Sequence, residues 1–255
     1  MSILPRAPGF RLDGRRALVT GAGRGIGLAA AAALAGQGAH VTLAARSANE
    51  LEAAAGAIRA EGGAAEPLVL DISDREAVTC AVATAPVFDI LVNNAGINRP
   101  APFVEVSEAD FDAVLGLNVR AAFFVAQAVV RRLLAEGRPG SIINMSSQMG
   151  HVGAPNRTVY CASKHAIEGL TKAMAVELGG SGIRVNSICP TFIETPLTAP
   201  FFADLDFKAN VLSKIQLGRL GRVEDLMGAV VLLASDAAAL ITGTSLKVDG
   251  GWTAE

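Results

Sequence analysis

Tyr160 and Lys164 lie four residues apart in a stretch, residues 158–168, that no Gly or Pro interrupts. On a helix that spacing projects both side chains from one face. A nearby ammonium favours phenolate over phenol, drawing a group with an ordinary pKa of about 10 toward working pH. Ser147, upstream at the end of an apolar run over 141–145, can deliver a hydroxyl to the same spot. Tyr as acid/base, Lys as its tuner and Ser as polariser suit the interconversion of a carbonyl and an alcohol. A buried Tyr at a helix start beside a surface Lys would read the same way, so the neighbours decide.

The first of these is the run TGAGRGIG at 20–27, directly after the short apolar segment Arg16–Thr20 and before an Ala-rich helical pattern reaching about Gln37. Strand, glycine turn and helix N-terminus together make an anion site, with free N–H groups and the positive end of the helix dipole aimed at one point. Gly21, Gly25 and Gly27 permit close backbone approach; their spacing is GxxxGxG, and a tight turn with packing glycines is the alternative reading. His40–Ala45 is the second strand. Where a dinucleotide-binding strand that prefers NAD ends in Asp or Glu, this one ends in Leu43-Ala44-Ala45, followed by Arg46 and Ser47. With Arg24 in the glycine turn, two guanidiniums and a hydroxyl suit a 2′-phosphate. If Arg46 is solvated and Arg24 stacks on adenine, either cofactor is acceptable.

A third strand over 65–70 ends at Asp71, which can accept from an adenine amino group or cap the helix starting after Ser73. A fourth meets the small residues Asn93, Asn94, Ala95 and Gly96. A long helical pattern over 107–135 contains Asn118, costly in an apolar stretch unless its amide is bonded or the backbone bends to expose a carbonyl. Further strands read at 141–145, 183–189 and Ser245–Val248, with a helix at 223–234. The segment 192–218 has no strand pattern and holds Phe201, Phe202 and Phe207, which suggests a substrate lid. Strands alternating with helices mean an α/β, doubly wound fold with a parallel sheet covered on both faces. Right-handed crossovers then gather the ends of strands one, four, five and six on one carboxyl edge.

The 255 residues fit one dinucleotide-binding and catalytic domain over 1–255, with a loose arm in the first dozen residues. A formal net charge of −2 points to neither nucleic acid nor an acidic membrane surface. The longest apolar runs, 28–35 and 226–234, fall short of the roughly 20 residues that span a bilayer. Cys80, Cys161 and Cys189 show no metal spacing, so reduced thiols and a cytoplasmic location are expected and no metal is.

The motifs TGxxxGxG at 20–27, NNAG at 93–96, LNV at 117–119 and YxxxK at 160–164 resemble, in type and order, those of the short-chain dehydrogenase/reductase family. The resemblance covers essentially the whole chain. It implies a seven-stranded Rossmann-type sandwich and an Asn–Ser–Tyr–Lys tetrad at Asn118, Ser147, Tyr160 and Lys164. The family's gap before Tyr selects Ser147 over Ser146. Around a bound NADP(H) it implies Gly21, Arg24, Gly25, Ile26, Gly27, Arg46, Ser47, Asp71, Ile72, Asn93, Ala95 and Gly96, with Tyr160, Lys164, Pro190, Ile193 and Thr195. Thr191 departs from the Gly usual after Pro190 and narrows the pocket. The implied reaction is reversible hydride transfer with a secondary alcohol or ketone; Lys164 lowers the Tyr160 pKa and bonds the nicotinamide ribose, and Asn118 helps place a water. The implied assembly pairs helices 108–134 and 159–178 across a two-fold axis, in a homodimer or homotetramer. A non-catalytic dinucleotide-binding regulator, or an epimerase or dehydratase on the same fold, are the other readings.

For the substrate, Ser147, Gln148, His151, Tyr160, Thr191 and Phe192 are the candidate wall, with Asn98, Glu194 and the lid phenylalanines. His151 is either on that wall or a solvated loop histidine. A polar pocket suits a sugar, polyol or hydroxy acid, with NAD(H) as the alternative cofactor; an apolar one suits a 3-oxoacyl chain or cyclic ketone.

Overall fold

A computed structural model describes residue 4, residues 6–196 and residues 198–254. Pro5, part of the expected arm, lies outside them; Leu12, at the arm's end, is buried and bonds its N–H to the Gln37 carbonyl.

The chain alternates as expected: β1 (Arg16–Thr20), α1 (Gly25–Gly36), β2 (His40–Ala45), α2 (Ala48–Ala60), β3 (Ala64–Val69), α3 (Arg75–Thr84) and β4 (Ile90–Asn93). Then come α4 (Glu108–Leu115), α5 (Ala122–Ala135), β5 (Gly140–Met145), α6 (Thr158–Leu178), β6 (Ile183–Pro190), α7 (Leu205–Ser213), α8 (Glu224–Ala234) and β7 (Ser245–Val248). All seven strands pair in parallel in the order β3-β2-β1-β4-β5-β6-β7. Helices cover both faces, so central strands such as β4 (Ile-Leu-Val-Asn) are buried on both sides and read as continuous apolar runs. One apolar layer joins α1, α2 and α8 to the sheet through Leu34, Leu51 and Val230. The other joins α3, α5 and α6 through Val78, Val129 and Leu178.

Connections run outward in opposite directions from β1 and β4, so a crevice opens at their carboxyl ends, the usual ligand position in such sheets. Helix starts show which ends are free for a ligand. Ser47, Asp74, Ser107 and Asp204 cap α2, α3, α4 and α7 with side-chain oxygens. The α1 start has no side-chain cap, and its donors face the crevice.

Between α4 and α5 the helix does not break but widens into a π turn, Gly116–Ala121, centred on Asn118. By length and composition the continuous stretch Glu108–Ala135 could cross a membrane, yet Val125, Val129 and Leu133 are buried against the sheet. Residues 192–218 carry a 3₁₀ turn, Ala199–Ala203, and α7, closed by a small apolar cluster of Val211, Ile215 and Leu220 with Phe192, Phe202 and Phe207.

Candidate active site and nucleotide cleft

One cleft of about 600 Å³ runs along the carboxyl edge of the sheet. At one end the glycine turn forms its floor. A Cβ on Gly27 would sit 2.2 Å from the Gly21 carbonyl oxygen, and Gly21 itself adopts φ +64°, so only glycine closes this turn against the start of α1. Asn94 locks it from β4, donating from Nδ2 to the Thr20 carbonyl at 2.9 Å and the Gly21 carbonyl at 3.2 Å. The adjacent wall holds Ala45, Arg46, Ser47, Asp71 and Ile72. Arg46 is exposed and makes no ion pair among the described residues. Arg24 pairs with Glu50 at 3.0 Å, a carboxylate on this wall that the strand-end reading missed because it lies on α2. The glycine cradle, the uncapped α1 and a β2 end without a carboxylate fit a dinucleotide phosphate backbone.

The other end is built by β5, α6 and the segment after β6. Ser147 leaves β5 with extended backbone and its hydroxyl bonds the Gln148 amide oxygen at 3.1 Å. Tyr160 and Lys164 sit on one face of α6, and both line the cleft with Ser147. Lys164 is buried, donates to the Met145 carbonyl at 2.8 Å and holds Nζ 5.5 Å from the centre of the Tyr160 ring.

The electrostatics depart from expectation. Burial pushes the Tyr160 phenol up to about 12, against the Ser147 hydroxyl and the Arg157 charge, while Cys161 adds to the rise. Burial likewise pulls Lys164 down to about 8, opposed by Cys189 and Glu168. Desolvation therefore sets the direction for both groups, and the Lys164 ammonium is turned to a backbone carbonyl.

Asn118 is buried beneath the cleft rather than on its wall. Its Oδ1 accepts from Ile97 N–H at 2.8 Å, and Nδ2 donates to the Ile97 carbonyl at 2.9 Å and to Ser163 Oγ at 3.1 Å. Of the two alternatives set by the sequence, the bonded amide is the one found, within a π turn.

Among the expected cofactor residues, Gly21, Arg24, Gly25, Ile26, Gly27, Arg46, Ser47, Asp71, Ile72, Ala95, Gly96, Pro190, Ile193 and Thr195 line the cleft. Asn93 does not. It is the last residue of β4, and its side chain alternates inward to bond the Ala122 carbonyl and Asn144, leaving the cleft to Asn94. Asp71 accepts from Ser73 N–H in a local turn, and the helix cap is Asp74 instead.

On the substrate side Gln148, Thr191, Phe192 and Asn98 are on the wall. His151 is not: it turns away toward Cys189 Sγ at 3.4 Å and Glu168 at 3.7 Å, and Glu194 also lies off the wall. His151, Glu168 and Cys189 gather their ligand-type atoms within 4.8 Å of one another, a proximity that sequence separation hid. Burial and the Glu168 charge push the Cys189 thiol up to about 12. Burial also pushes Glu168 up, but the facing Ser146, Ser245, Ser187 and Cys189 groups outweigh it and hold this carboxyl below its usual range. Arg157, which sequence reasoning passed over, lines the cleft and is buried; its position three residues before Tyr160 was the available signal.

A doubly wound sheet with a glycine cradle at one end of its cleft and Ser, Tyr and Lys at the other defines a dinucleotide-dependent oxidoreductase. The chain belongs to the short-chain dehydrogenase/reductase family: a family model described as Enoyl-(Acyl carrier protein) reductase matches residues 21–253. It is 43% identical to gluconate 5-dehydrogenase of Gluconobacter oxydans, over 96% of both chains. It is 41% identical to D-erythrulose reductase of Gallus gallus, over 96% of this chain and 98% of that one. A crystal structure of a gluconate 5-dehydrogenase from Burkholderia cenocepacia, in complex with NADP and tartrate, is 40% identical and superposes with a TM-score of 0.92, covering 96% and 98% of the two chains. The chain is thus a nucleotide-dependent enzyme acting on CH–OH and C=O groups.

Proposed function

We propose that this enzyme reversibly reduces a ketone on a short polyhydroxylated chain (a ketose, or the keto form of a sugar acid) and prefers NADP(H) to NAD(H). The observation that carries the reading is the meeting of Ser147, Tyr160 and Lys164 on one wall of a cleft whose far end offers Arg46 and Ser47 and no carboxylate at the end of β2. The relatives named above, and the NADP in one of them, support it.

When bound, the nicotinamide dinucleotide supplies or accepts the hydride. Tyr160 gives its proton to the substrate oxygen in reduction and takes it back in oxidation. Ser147 turns its hydroxyl from Gln148 to that oxygen. Lys164, held by the Met145 carbonyl, keeps a positive charge beside the phenol and binds ribose hydroxyls. Asn118 and the π turn help place the water that passes the proton to solvent. Gly21 to Gly27, Asp71, Ile72, Ala95, Gly96, Pro190, Ile193 and Thr195 cradle the dinucleotide, and Arg46 with Ser47 meets a 2′-phosphate. The Arg24–Glu50 pair is exposed, and such pairs contribute little, so Arg24 can exchange Glu50 for the phosphate. Residues 192–218 form the lid of the single catalytic domain. The enzyme works in the cytoplasm as a homotetramer or homodimer, covering Phe111, Phe123 and Val176, exposed on α4, α5 and α6.

Turnover of NADPH with a panel of ketoses and keto acids, followed by nicotinamide absorbance, tests the reading. The unmodified enzyme is expected to turn over, and Tyr160→Phe to lose at least ~100-fold in kcat, the scale of general acid catalysis. Turnover near the unmodified rate in that variant removes Tyr160 from the mechanism.

A further inference from the structure

Arg157 is the N-cap of α6, and its side chain is only 8% exposed. Its guanidinium carbon lies 5.6, 5.7 and 5.3 Å from the ring centres of Phe192, Phe201 and Phe207. That aromatic box attracts a cation through its ring faces but accepts none of its hydrogen bonds in the guanidinium plane. Of five N–H donors, the bond found is one to the Pro155 carbonyl at 3.4 Å. No carboxylate among the described residues pairs with it, although the other partly buried arginine of comparable desolvation, Arg184, bonds two backbone carbonyls. A buried charge without an opposite charge is costly. The lid phenylalanines explain how the cation is held, not what its donors face.

Arg157 lines the cleft. Further polar atoms on the substrate wall lack partners: Gln148 Nε2, whose amide oxygen is used by Ser147, Thr191 Oγ1 and Asn98 Oδ1. Gln148 Nε2 donates, as does the guanidinium; the Thr191 hydroxyl can donate or accept, and Asn98 Oδ1 can only accept, as from a substrate hydroxyl. The carboxylates on the cleft wall, Glu50 and Asp71, belong to the nucleotide end. The substrate end thus offers a fixed cation, a spare amide donor, a spare hydroxyl and a spare amide acceptor beside Tyr160 and Ser147, and no carboxylate on its wall.

We propose that Arg157 is a specificity-determining residue that binds a carboxylate of the substrate, so that the preferred substrates are hydroxy acids and keto acids rather than neutral polyols and ketoses. A planar fork of N–H donors matches a carboxylate with two parallel, charge-assisted bonds, and Gln148 Nε2 and Thr191 Oγ1 take further substrate oxygens. The inference rests on the proposed polyhydroxylated substrate and narrows it to the acid members of that class.

The test is a ratio within matched pairs. With NADP⁺, kcat/KM is measured for an aldonate and the alditol of the same carbon chain, D-gluconate against D-glucitol and L-threonate against L-threitol. The unmodified enzyme is expected to favour the acid of at least one pair by ~10-fold or more, about the discrimination of one charge-assisted contact. Arg157→Met is expected to bring that ratio near one through a rise in KM for the acid, and Arg157→Lys to restore part of it. A purely structural role for Arg157 in holding the lid lowers both members together and leaves the ratio intact, which overturns the proposal. So does a preference of the unmodified enzyme for the alditols, and that outcome leaves the broader reading standing.

Binding separates the remaining case. Trp252 is the only tryptophan and stacks 5.8 Å from Phe192, so its fluorescence reports on the box around Arg157. Gluconate or tartrate is titrated into the enzyme–NADP⁺ complex at constant ionic strength. Saturable binding weakened at least tenfold in Arg157→Met supports the carboxylate site even where neither series turns over and the broader reading fails. Equal binding in both proteins, or none, contradicts it.

Discussion

At the scale of single residues, the site is governed by desolvation more than by the neighbouring charge that the spacing of Tyr160 and Lys164 suggests. Burial raises the phenol to about 12 and lowers the ammonium to about 8, so at neutral pH both hold their protons and Tyr160 is set as a proton donor. The sign follows from the raised phenol: between the ordinary value near 10 and 12 the folded site keeps a proton that the unfolded chain has lost. That contribution to stability is complete below about 10 and disappears as pH rises through 12. Tyr160 is the only tyrosine, so ultraviolet difference absorbance reads its ionisation without assignment. In the cofactor-free enzyme no tyrosinate should appear up to about pH 10; a transition below that value contradicts the burial argument. Residue spacing pointed to Ser147, Tyr160 and Lys164, which lie together on one wall. It misjudged Asn93 and His151, because which way a strand-end or loop side chain turns depends on partners, Asn144 for one and Cys189 for the other, that lie far off in sequence.

At the scale of elements, a strand, a glycine turn and a helix act as one unit at the nucleotide end. The unit was legible because each part has a local cause: the apolar run of β1, the glycines, and the Ala-rich α1. Gly27 is its tightest point. Gly27→Ala must displace the Gly21 carbonyl or the Asn94 amide, 2.6 Å from the added Cβ, so the turn that faces the phosphates moves. NADPH affinity by isothermal titration is expected to weaken at least ~10-fold, about 1.4 kcal/mol, and unchanged affinity would mean the turn does not bear on the nucleotide. The π turn was legible only as a problem, an Asn in an apolar helix; the Ile97 and Ser163 groups that resolve it come from the crossover of another strand and from α6. Residues 192–218 read only as lacking a strand pattern; α7 and a small core form there, since Phe192, Phe202 and Phe207 supply apolar partners that local periodicity does not display.

At the scale of the whole molecule, the near-neutral net charge conceals a polarised cleft. Arg46 with the α1 N-terminus stands at one end, and Arg157 and Lys164 stand at the other. Composition does not announce this difference, because Glu and Asp balance the sum, two of them, Glu50 and Asp71, on the wall at the nucleotide end itself. The proposed carboxylate site at Arg157 predicts that the substrate end attracts anions the more strongly. The topology explains why one chain can do this: β1 and β2 bring Arg24 and Arg46 to the edge on one side of the crevice, while β5, α6 and the segment after β6 bring Ser147, Tyr160, Arg157 and Thr191 to the other.

The most direct measurement is kcat/KM for NADPH and for NADH, with the same saturating keto substrate and the unmodified enzyme. Two or more charge-assisted bonds to the 2′-phosphate, at roughly 1.5–3 kcal/mol each, predict a preference for NADPH of ~100-fold or more. Ala45→Asp combined with Arg46→Gln should carry that preference toward NADH by restoring a carboxylate at the end of β2 and removing the phosphate's fork. A higher kcat/KM for NADH in the unmodified enzyme, or no keto-dependent turnover with either nucleotide, would contradict the account.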